Sequence, residues 1–218
     1  TAGTFVVPPE AAGERIECVF SNSRKNTTLQ LEKIWVAGVS GDNALLAADD
    51  GSGEGLDISY ESTSSGGNET DTDTNFLTVY AGKTVQVLEQ LGFNQTNAAT
   101  YSSTLSCDDS SGQLVSGTTQ GSFQVPSTPT PIKCSFTNTR KSSTLTLTKT
   151  WTNAISGDIV NLTATGNSGL ESPAQGDSTA PATTNNAFLT IYAGESVSLV
   201  EAFGAQGDAA NYTTNLSC

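Results

Sequence analysis

The chain of 218 residues contains no histidine and no methionine, and only 14% of its residues are charged. Without histidine, the chain lacks the side chain that most often serves as a general base or a metal ligand. It also has no nucleophile elbow and no glycine-rich phosphate loop. These absences argue against an enzyme that turns over a substrate.

Positive charge and long apolar runs are scarce as well. Nine lysines and arginines face 22 aspartates and glutamates, so the net charge is -13. Nucleic acids and anionic membranes would repel such a chain. No stretch approaches the roughly 18 apolar residues of a membrane-spanning helix. We therefore expect neither nucleic acid as a partner nor insertion into a membrane.

A missing signal peptide and missing methionine suggest that the chain starts after processing or within a longer protein.

Four cysteines are present without histidine, a composition that favours disulfides over a metal site. The stretch "DTDTNF" at residues 71–76 begins like a calcium loop, but it lacks the glycine and the glutamate that such a loop needs. We expect no metal and no cofactor. Disulfides persist in oxidising compartments, which predicts an extracellular, cell-surface protein.

The chain repeats itself. The stretch "CVFSNSRKNTTLQLEKIW" from Cys18 returns as "CSFTNTRKSSTLTLTKTW" from Cys134, and "NFLTVYAGKTVQVLEQ" at 75–90 returns as "AFLTIYAGESVSLVEA" at 187–202. "TYSSTLSC" ending at Cys107 returns as "NYTTNLSC" ending at Cys218, and "GTFVVP" at 3–8 returns as "GSFQVP" at 121–126. Two homologous units therefore make up the chain.

Both units show the pattern of short β-strands. Threonine, valine, leucine, isoleucine and tyrosine alternate with polar residues, and breaks such as "AGVSGD", "DDGSGEG" and "TGNSG" separate the runs. No segment keeps a helical period. The pattern predicts an all-β fold of two tandem, Ig-like antiparallel β-sandwich domains.

Strand alternation places three polar side chains of each unit on the apolar face. They are Lys33, Glu89 and Asn138 in one set, and Lys149, Glu201 and Asn22 in the other. An unpaired buried charge costs several kcal/mol, so these groups need one another or water at a strand end. Burial lowers the pKa of a lysine and raises that of a glutamate. A neutral amine beside a protonated acid can attack a carboxamide, release ammonia and leave an amide bond. The alternatives are an ordinary buried ion pair, or a pair at the rim packed on a tryptophan.

The order of a strand "LxLxK", then "YAGxxVxLxE", then "FTNT" resembles the prealbumin-like, SpaA-type domains of bacterial surface adhesins and pilins. Many of those domains carry intramolecular isopeptide bonds. The resemblance implies a prealbumin-like fold, with Lys33 and Lys149 as nucleophiles, Glu89 and Glu201 as catalytic acids, and Asn138 and Asn22 as acceptors. After Glu89, "EQLGFNQTNAATY" departs from the family's usual Pro-x-Gly-Tyr.

The asparagine that closes a unit follows that unit's glutamate. The first domain therefore runs over 25–140, with Cys107 and Cys134 on neighbouring strands that a disulfide can join. The second domain, 141–218, lacks its own last strand. Residues 1–24 are a closing strand without a unit to close.

Two arrangements satisfy these loose ends. The chain can be a section of a longer tandem array. Alternatively, the N-terminal segment of one molecule completes the second domain of its neighbour, with a Cys18–Cys218 disulfide and a Lys149–Asn22 amide between chains. Such a head-to-tail contact between identical subunits does not close on itself and builds a filament. Folding back onto the second domain of the same chain is less favoured, because the segment has to span the first domain.

The sequence thus predicts an extracellular structural protein, the subunit of a bacterial surface filament or pilus built by N-terminal strand donation. The alternatives are a section of a tandem-repeat adhesin stalk, and a carbohydrate- or ligand-binding module that uses the variable loops at 49–74 and 166–186. A host or surface receptor is not identified.

Overall fold

The computed structural model describes residues 2–7, 9–11, 13, 15–51, 53, 56–92, 98–205 and 209–218. Ser52, Glu54 and Gly55 of the first variable loop therefore lie outside the described residues, as do Thr1, Pro8, Ala12 and Glu14 of the N-terminal segment. Within these residues, the regular structure consists of fifteen strands and three short 3-10 helices, Pro9–Ala11, Ala98–Thr100 and Ala209–Asn211. The all-β prediction is confirmed. Among the described residues, no helix is long and apolar enough to cross a membrane.

The first domain contains ten strands. They are β1 (Asn26–Gly38), β2 (Asn43–Asp49), β3 (Ile58–Thr63), β4 (Gly67–Thr72), β5 (Leu77–Tyr80), β6 (Thr84–Leu91), β7 (Tyr101–Asp109), β8 (Gly112–Gly117), β9 (Gln120–Gln124) and β10 (Ile132–Arg140). One sheet has the order β4-β1-β10-β7-β8, with β5 also paired to β1, and the other has the order β3-β2-β6-β9. The two sheets form the predicted sandwich.

The closing strand β10 lies in the middle of its sheet. It pairs with β1 in parallel, with Leu29 opposite Ile132 and Trp35 opposite Asn138. On its other side it pairs with β7 in antiparallel fashion. The parallel pair is a departure from the purely antiparallel sandwich that we expected. It is possible because most of the domain lies between the two strands in the chain and provides the long connection that parallel strands need.

Alternation of side chains builds the core of the first domain. Leu29, Leu31 and Trp35 on β1 and Phe136 on β10 are fully buried. They face Leu46, Val85 and Val87 from the opposite sheet. Because the strands of both sheets alternate with period two, one apolar face of each sheet meets the other and excludes water.

The second domain has five strands among the described residues. They are β11 (Ser142–Lys149), β12 (Ile159–Gly166), β13 (Ala174–Thr179), β14 (Thr184–Tyr192) and β15 (Val197–Phe203). They form one sheet of β11-β14 and one of β13-β12-β15. Trp151 has the same strand phase as Trp35, but it is only half-buried, whereas Trp35 is completely buried. The second domain is thus a sandwich with a less complete cover than the first.

Two segments that the repeat relates to strands of the first domain stay outside the sheets. Residues 15–25 repeat the sequence around β10, and residues 212–218 repeat that of β7, yet neither segment forms a strand. Their large apolar side chains face solvent: Val19 and Phe20 are each 75% exposed and Leu216 is 64% exposed. The apolar pattern of these segments is therefore not used within the chain.

Candidate crosslinking sites

Lys33 lies on the inner face of β1, in phase with the buried leucines, and its side chain is fully buried. Its ammonium Nζ donates hydrogen bonds to the carbonyl oxygens of Ile34 at 3.1 Å and Phe136 at 3.2 Å. The same nitrogen lies 4.2 Å from the centre of the Trp35 ring. These contacts hold the amine in a fixed place between the two sheets.

Glu89 and Asn138 reach the same place from opposite sheets. Glu89 comes from β6, and its Oε1 lies 3.3 Å from Nζ of Lys33. Asn138 comes from β10, and its Nδ2 donates a hydrogen bond of 2.9 Å to the same oxygen. Both residues are buried. The fold therefore assembles the amine, the acid and the carboxamide that alternation placed on one face.

Burial shifts both titrating groups towards their neutral forms. Desolvation lowers the pKa of Lys33 to about 8, although the attraction of Glu89 opposes this shift. Desolvation also raises the pKa of Glu89 above its ordinary value, against the opposing effects of Lys33 and Asn138. A pKa of about 8 leaves roughly a tenth of the amine neutral at pH 7. The site thus makes a nucleophilic amine available next to a carboxyl group.

Two buried oxygen atoms of this site have no hydrogen-bond partner, namely Oε2 of Glu89 and Oδ1 of Asn138. Two acceptors cannot satisfy each other while the carboxyl group is ionised, but a protonated Glu89 supplies a donor. Turning the Asn138 amide exchanges its oxygen and nitrogen without changing its shape. A protonated Glu89 can then donate to Oδ1 and polarise the carbonyl of Asn138.

The second domain holds the corresponding lysine and glutamate. Nζ of Lys149 lies 2.6 Å from Oε1 of Glu201, and the two side chains are 17% and 16% exposed. Nζ also lies 4.7 Å from the centre of the Trp151 ring. The lysine and the glutamate are therefore in place without the predicted acceptor, because Asn22 lies in the exposed N-terminal segment.

A groove of about 500 Å³ opens over this second pair. Its lining includes Leu147, Leu162 and Leu199 on the strands, and Leu216 on the C-terminal segment. In the first domain, β10 fills the space between β1 and β7. The groove lies between the counterparts of those two strands, β11 and residues 214–217. Its place in the second domain corresponds to that of β10 in the first.

The four cysteines divide into one bridge and two thiols. Cys107 and Cys134 lie opposite each other on β7 and β10 and form a disulfide whose two residues are fully buried. Cys18 and Cys218 carry exposed free thiols. The bridge joins the closing strand of the first domain to its neighbour, and the free thiols lie on the two segments that are not in sheets.

The sequence predictions did not include the hydrogen bonds that orient the tryptophans. Nε1 of Trp35 donates to Oγ of Ser62 at 2.9 Å, and Ser62 donates to Oδ2 of Asp71 at 2.5 Å. Nε1 of Trp151 donates to Oγ of Ser178 at 3.1 Å. No short motif marks these serines, so sequence alignment of the two units alone would not single them out. Asp71, which we considered as a calcium ligand, accepts a hydrogen bond from Ser62 here.

A second contact that we did not predict is repeated in both domains. Tyr101 donates to Asp42 at 2.5 Å and accepts from the backbone N–H of Val39. Tyr212 makes a hydrogen bond to Asp158 and accepts from the backbone N–H of Ile155. The repeated "SGD" and the tyrosine before each "LSC" were the available signal. Tyr212 therefore anchors the C-terminal segment at the same place that Tyr101 anchors β7.

Comparison with known proteins gives one family. The model of the prealbumin-like fold domain of the SpaA type matches residues 46–140 and 144–218. No curated protein matches the chain. No solved structure matches it either. Because the two segments together cover most of the sequence, the chain belongs to the prealbumin-like, SpaA-type domains, which are structural modules typically exposed on surfaces.

Proposed function

We propose that the chain is an extracellular structural subunit of a bacterial surface filament that assembles head to tail. In each contact, residues 15–24 of one copy enter the groove in the second domain of the next copy. The observation that carries this proposal is the groove itself. It lies over Lys149 and Glu201, at the position where β10 completes the first domain.

The closing strand of the first domain is a template for the donated strand. On β10, Ile132, Cys134, Phe136 and Asn138 alternate inward and are all buried. The N-terminal segment offers Ile16, Cys18, Phe20 and Asn22 at the same spacing. A strand with this pattern buries its apolar residues only when it joins one sheet and turns that face towards the opposite sheet. The N-terminal segment therefore matches β10 position by position, as a strand that fills the corresponding groove of the second domain should.

The register of the template also assigns the partners between chains. Cys134 lies opposite Cys107, and Phe136 lies opposite Leu105. In the same register Cys18 pairs with Cys218 of the neighbour, and Phe20 covers the exposed Leu216. Asn22 then lies near Lys149, as Asn138 lies near Lys33. A disulfide and an amide bond can thus lock the donated strand.

The amide bond forms in a single turnover. Nζ of a neutral lysine attacks Cγ of the asparagine, and the protonated glutamate donates a hydrogen bond to the oxyanion. The glutamate gives its proton to the leaving nitrogen and takes one from Nζ, so that it is protonated again at the end. The C–N bond of the carboxamide breaks, ammonia leaves, and an Nζ–Cγ amide remains. Lys33, Glu89 and Asn138 carry out this reaction within the first domain. Lys149 and Glu201 carry it out with Asn22 of another copy. A covalent bond between the strands would keep the subunits of a filament connected when a pulling force acts on it.

A denaturing gel of the assembled protein tests the filament. We expect a ladder of multiples of the chain mass, part of which collapses to monomer under reductant and part of which survives as amide-linked species. Phe20→Ser should abolish the ladder, because Phe20 has to enter the core of the neighbour. Val19→Ser is the matched control, since Val19 is equally exposed in the single chain but points outward on a donated strand. The control should keep the ladder.

Three results would contradict strand donation or favour another function. A single band at monomer mass in both redox states, with monomers in solution at all concentrations, contradicts strand donation between copies and favours the section of a tandem array. Equal effects of Phe20→Ser and Val19→Ser would show that the segment does not enter the groove as a strand. Binding of a glycan to one domain and not to the other would favour the ligand-binding module.

A further inference from the structure

The first domain is closed by two strands that follow β7, not by one. Besides β10, strand β9 pairs with β6 on the opposite sheet, with Phe123 opposite Val85. Phe123 is 6% exposed and Val125 is 1% exposed, and both belong to the core. Val125 extends the pairing beyond the strand, because its N–H donates to Lys83 O and its carbonyl accepts from Gly82 N, both at 2.8 Å.

The N-terminal segment carries a copy of β9 as well as a copy of β10. "GTFVVP" at residues 3–8 repeats "GSFQVP" at 121–126, so Phe5 corresponds to Phe123 and Val7 to Val125. Phe5 is 60% exposed, Val6 88% and Val7 53%. Three successive exposed apolar side chains in an unpaired segment are a liability unless a partner covers them.

The second domain lacks the strand that this copy would provide. In the described part of the chain, β15 pairs with β12 along one edge, and no strand pairs with its other edge. Val197 and Leu199 on β15 are half-buried, whereas their counterparts on β6, Val85 and Val87, are fully buried. The edge of β15 is therefore open and its inward side chains are incompletely covered.

We propose that residues 3–7 of a second copy add to the open edge of β15 as an antiparallel strand, with Phe5 opposite Val197. This inference rests on the proposed strand donation and extends it to the second sheet of the sandwich. The donor segment then holds its neighbour with two strands, one on each sheet. Phe5 and Val7 point inward and Val6 points to solvent, as Phe123, Val125 and Gln124 do in the first domain.

The length of the connection allows this arrangement. Val125 and Ile132 are seven positions apart, and Val7 and Ile16 are nine positions apart. The segment between the two donated strands is thus two residues longer than the one that joins β9 to β10. Packed sheets lie about 10 Å apart, which eight connecting residues can span easily.

The test uses a variant of the full chain whose copies can associate only reversibly. Cys18→Ser and Asn22→Ala together remove both bonds between chains, so that association can be measured by sedimentation velocity over a range of concentrations. In this background, Phe5→Ser with Val7→Ser should weaken association by at least about 100-fold, because two large side chains no longer enter the neighbour's core. Val6→Ser is the control and should leave association unchanged. These residues are exposed in the single chain, so its folding is not at risk.

Hydrogen exchange provides the second measurement. In the assembled background protein, amides of β15 near Val197 and Leu199 should exchange more slowly than in the monomer, and the double variant should lose this protection. If the double variant and Val6→Ser associate equally well while Phe20→Ser abolishes association, the second strand is wrong and donation of residues 15–24 stands. If the background protein never associates, both proposals fall. Weakened association without any change at β15 places residues 3–7 elsewhere and contradicts the inference.

Discussion

Nζ of Lys149 lies 2.6 Å from Oε1 of Glu201 in a pair that water still reaches, whereas Lys33 and Glu89 are completely enclosed. The two pairs come from repeats of the same sequence, so the difference in burial has one main cause. In the first domain β10 covers the lysine, and in the second domain no described strand takes that place. The first domain therefore shows a unit that is closed by β10, and the proposed donation would close the second domain in the same way.

We expect the folded first domain to lose one ammonia, which intact mass measurement of the denatured, reduced protein will detect. Glu89→Gln should retain the full mass, because a carboxamide cannot shuttle the proton that leaves with ammonia. Glu61→Gln is a suitable control, since Glu61 lies exposed on β3 of the same sheet. An unmodified mass for the folded wild-type chain would exclude the amide bond.

The same bond should raise the stability of the first domain. A link between Lys33 and Asn138 closes a loop of roughly 100 residues, which the chain-entropy model values at ~4 to 5 kcal/mol. Asn138→Ala removes the acceptor, so its free energy of unfolding should fall by this amount plus the loss of a buried hydrogen bond. Thermal unfolding followed by calorimetry will measure the change. A loss below about 2 kcal/mol would indicate that no crosslink existed in the wild type.

The rate of crosslinking should depend on pH in a bell shape. Lys33 has a pKa of about 8 and Glu89 has a raised pKa, both because of burial. Between these two values the pair holds one proton, and the reactive form has it on Glu89 with a neutral Lys33. Below the pKa of Glu89 both groups are protonated and the amine cannot attack. Above about pH 8 the acid is lost.

The pH profile of the crosslinking rate can be measured on protein that is purified in the unfolded state and then refolded at a series of pH values. The loss of ammonia reports the reaction. A rate that keeps rising well above pH 8 would show that a neutral amine is sufficient and that Glu89 does not act as an acid.

The folded-state stability of the uncrosslinked Asn138→Ala variant has its own pH dependence. Because the pKa of Lys33 is lowered, the unfolded state binds more protons above pH 8, and stability should rise from there towards the ordinary lysine pKa.

The two kinds of cysteine should differ in their response to reductant. Cys107 and Cys134 are fully buried on paired strands, whereas Cys18 and Cys218 are exposed. Mild reductant under native conditions should therefore collapse disulfide-linked multimers and leave the bridge of the first domain intact, because a thiolate must reach a sulfur to exchange with it. Labelling of free thiols followed by peptide mass analysis will identify the cysteines that react. Labelling of Cys107 in the folded protein would contradict this expectation.

Strand alternation alone was enough to predict that Lys33, Glu89 and Asn138 point into the core. Lys33, Glu89 and Asn138 each follow an apolar residue two positions earlier, and the period of a strand then fixes the face. The parallel pairing of β1 with β10 could not be predicted this way, because phase tells which face a residue occupies and not which strand lies beside it. The incomplete burial of Trp151 could not be predicted for a related reason. Its phase is that of Trp35, but burial also depends on the strand that covers it.

A peptide of residues 15–25 should act as a cap for the second domain. It supplies the closing strand without the rest of a chain, so it should raise the unfolding temperature of the second domain and shorten the filaments by occupying their open grooves. With reductant present to prevent a Cys18–Cys218 disulfide, the wild-type peptide should become bound covalently through Asn22 with loss of ammonia, and an Asn22→Ala peptide should bind reversibly. Under the same conditions, full-chain Lys149→Met should bind the wild-type peptide only reversibly, because it lacks the nucleophile. If a peptide with Phe20→Ser stabilises the second domain equally well, the groove does not require the inward-facing phenylalanine. The peptide then does not bind in the way that β10 packs in the first domain.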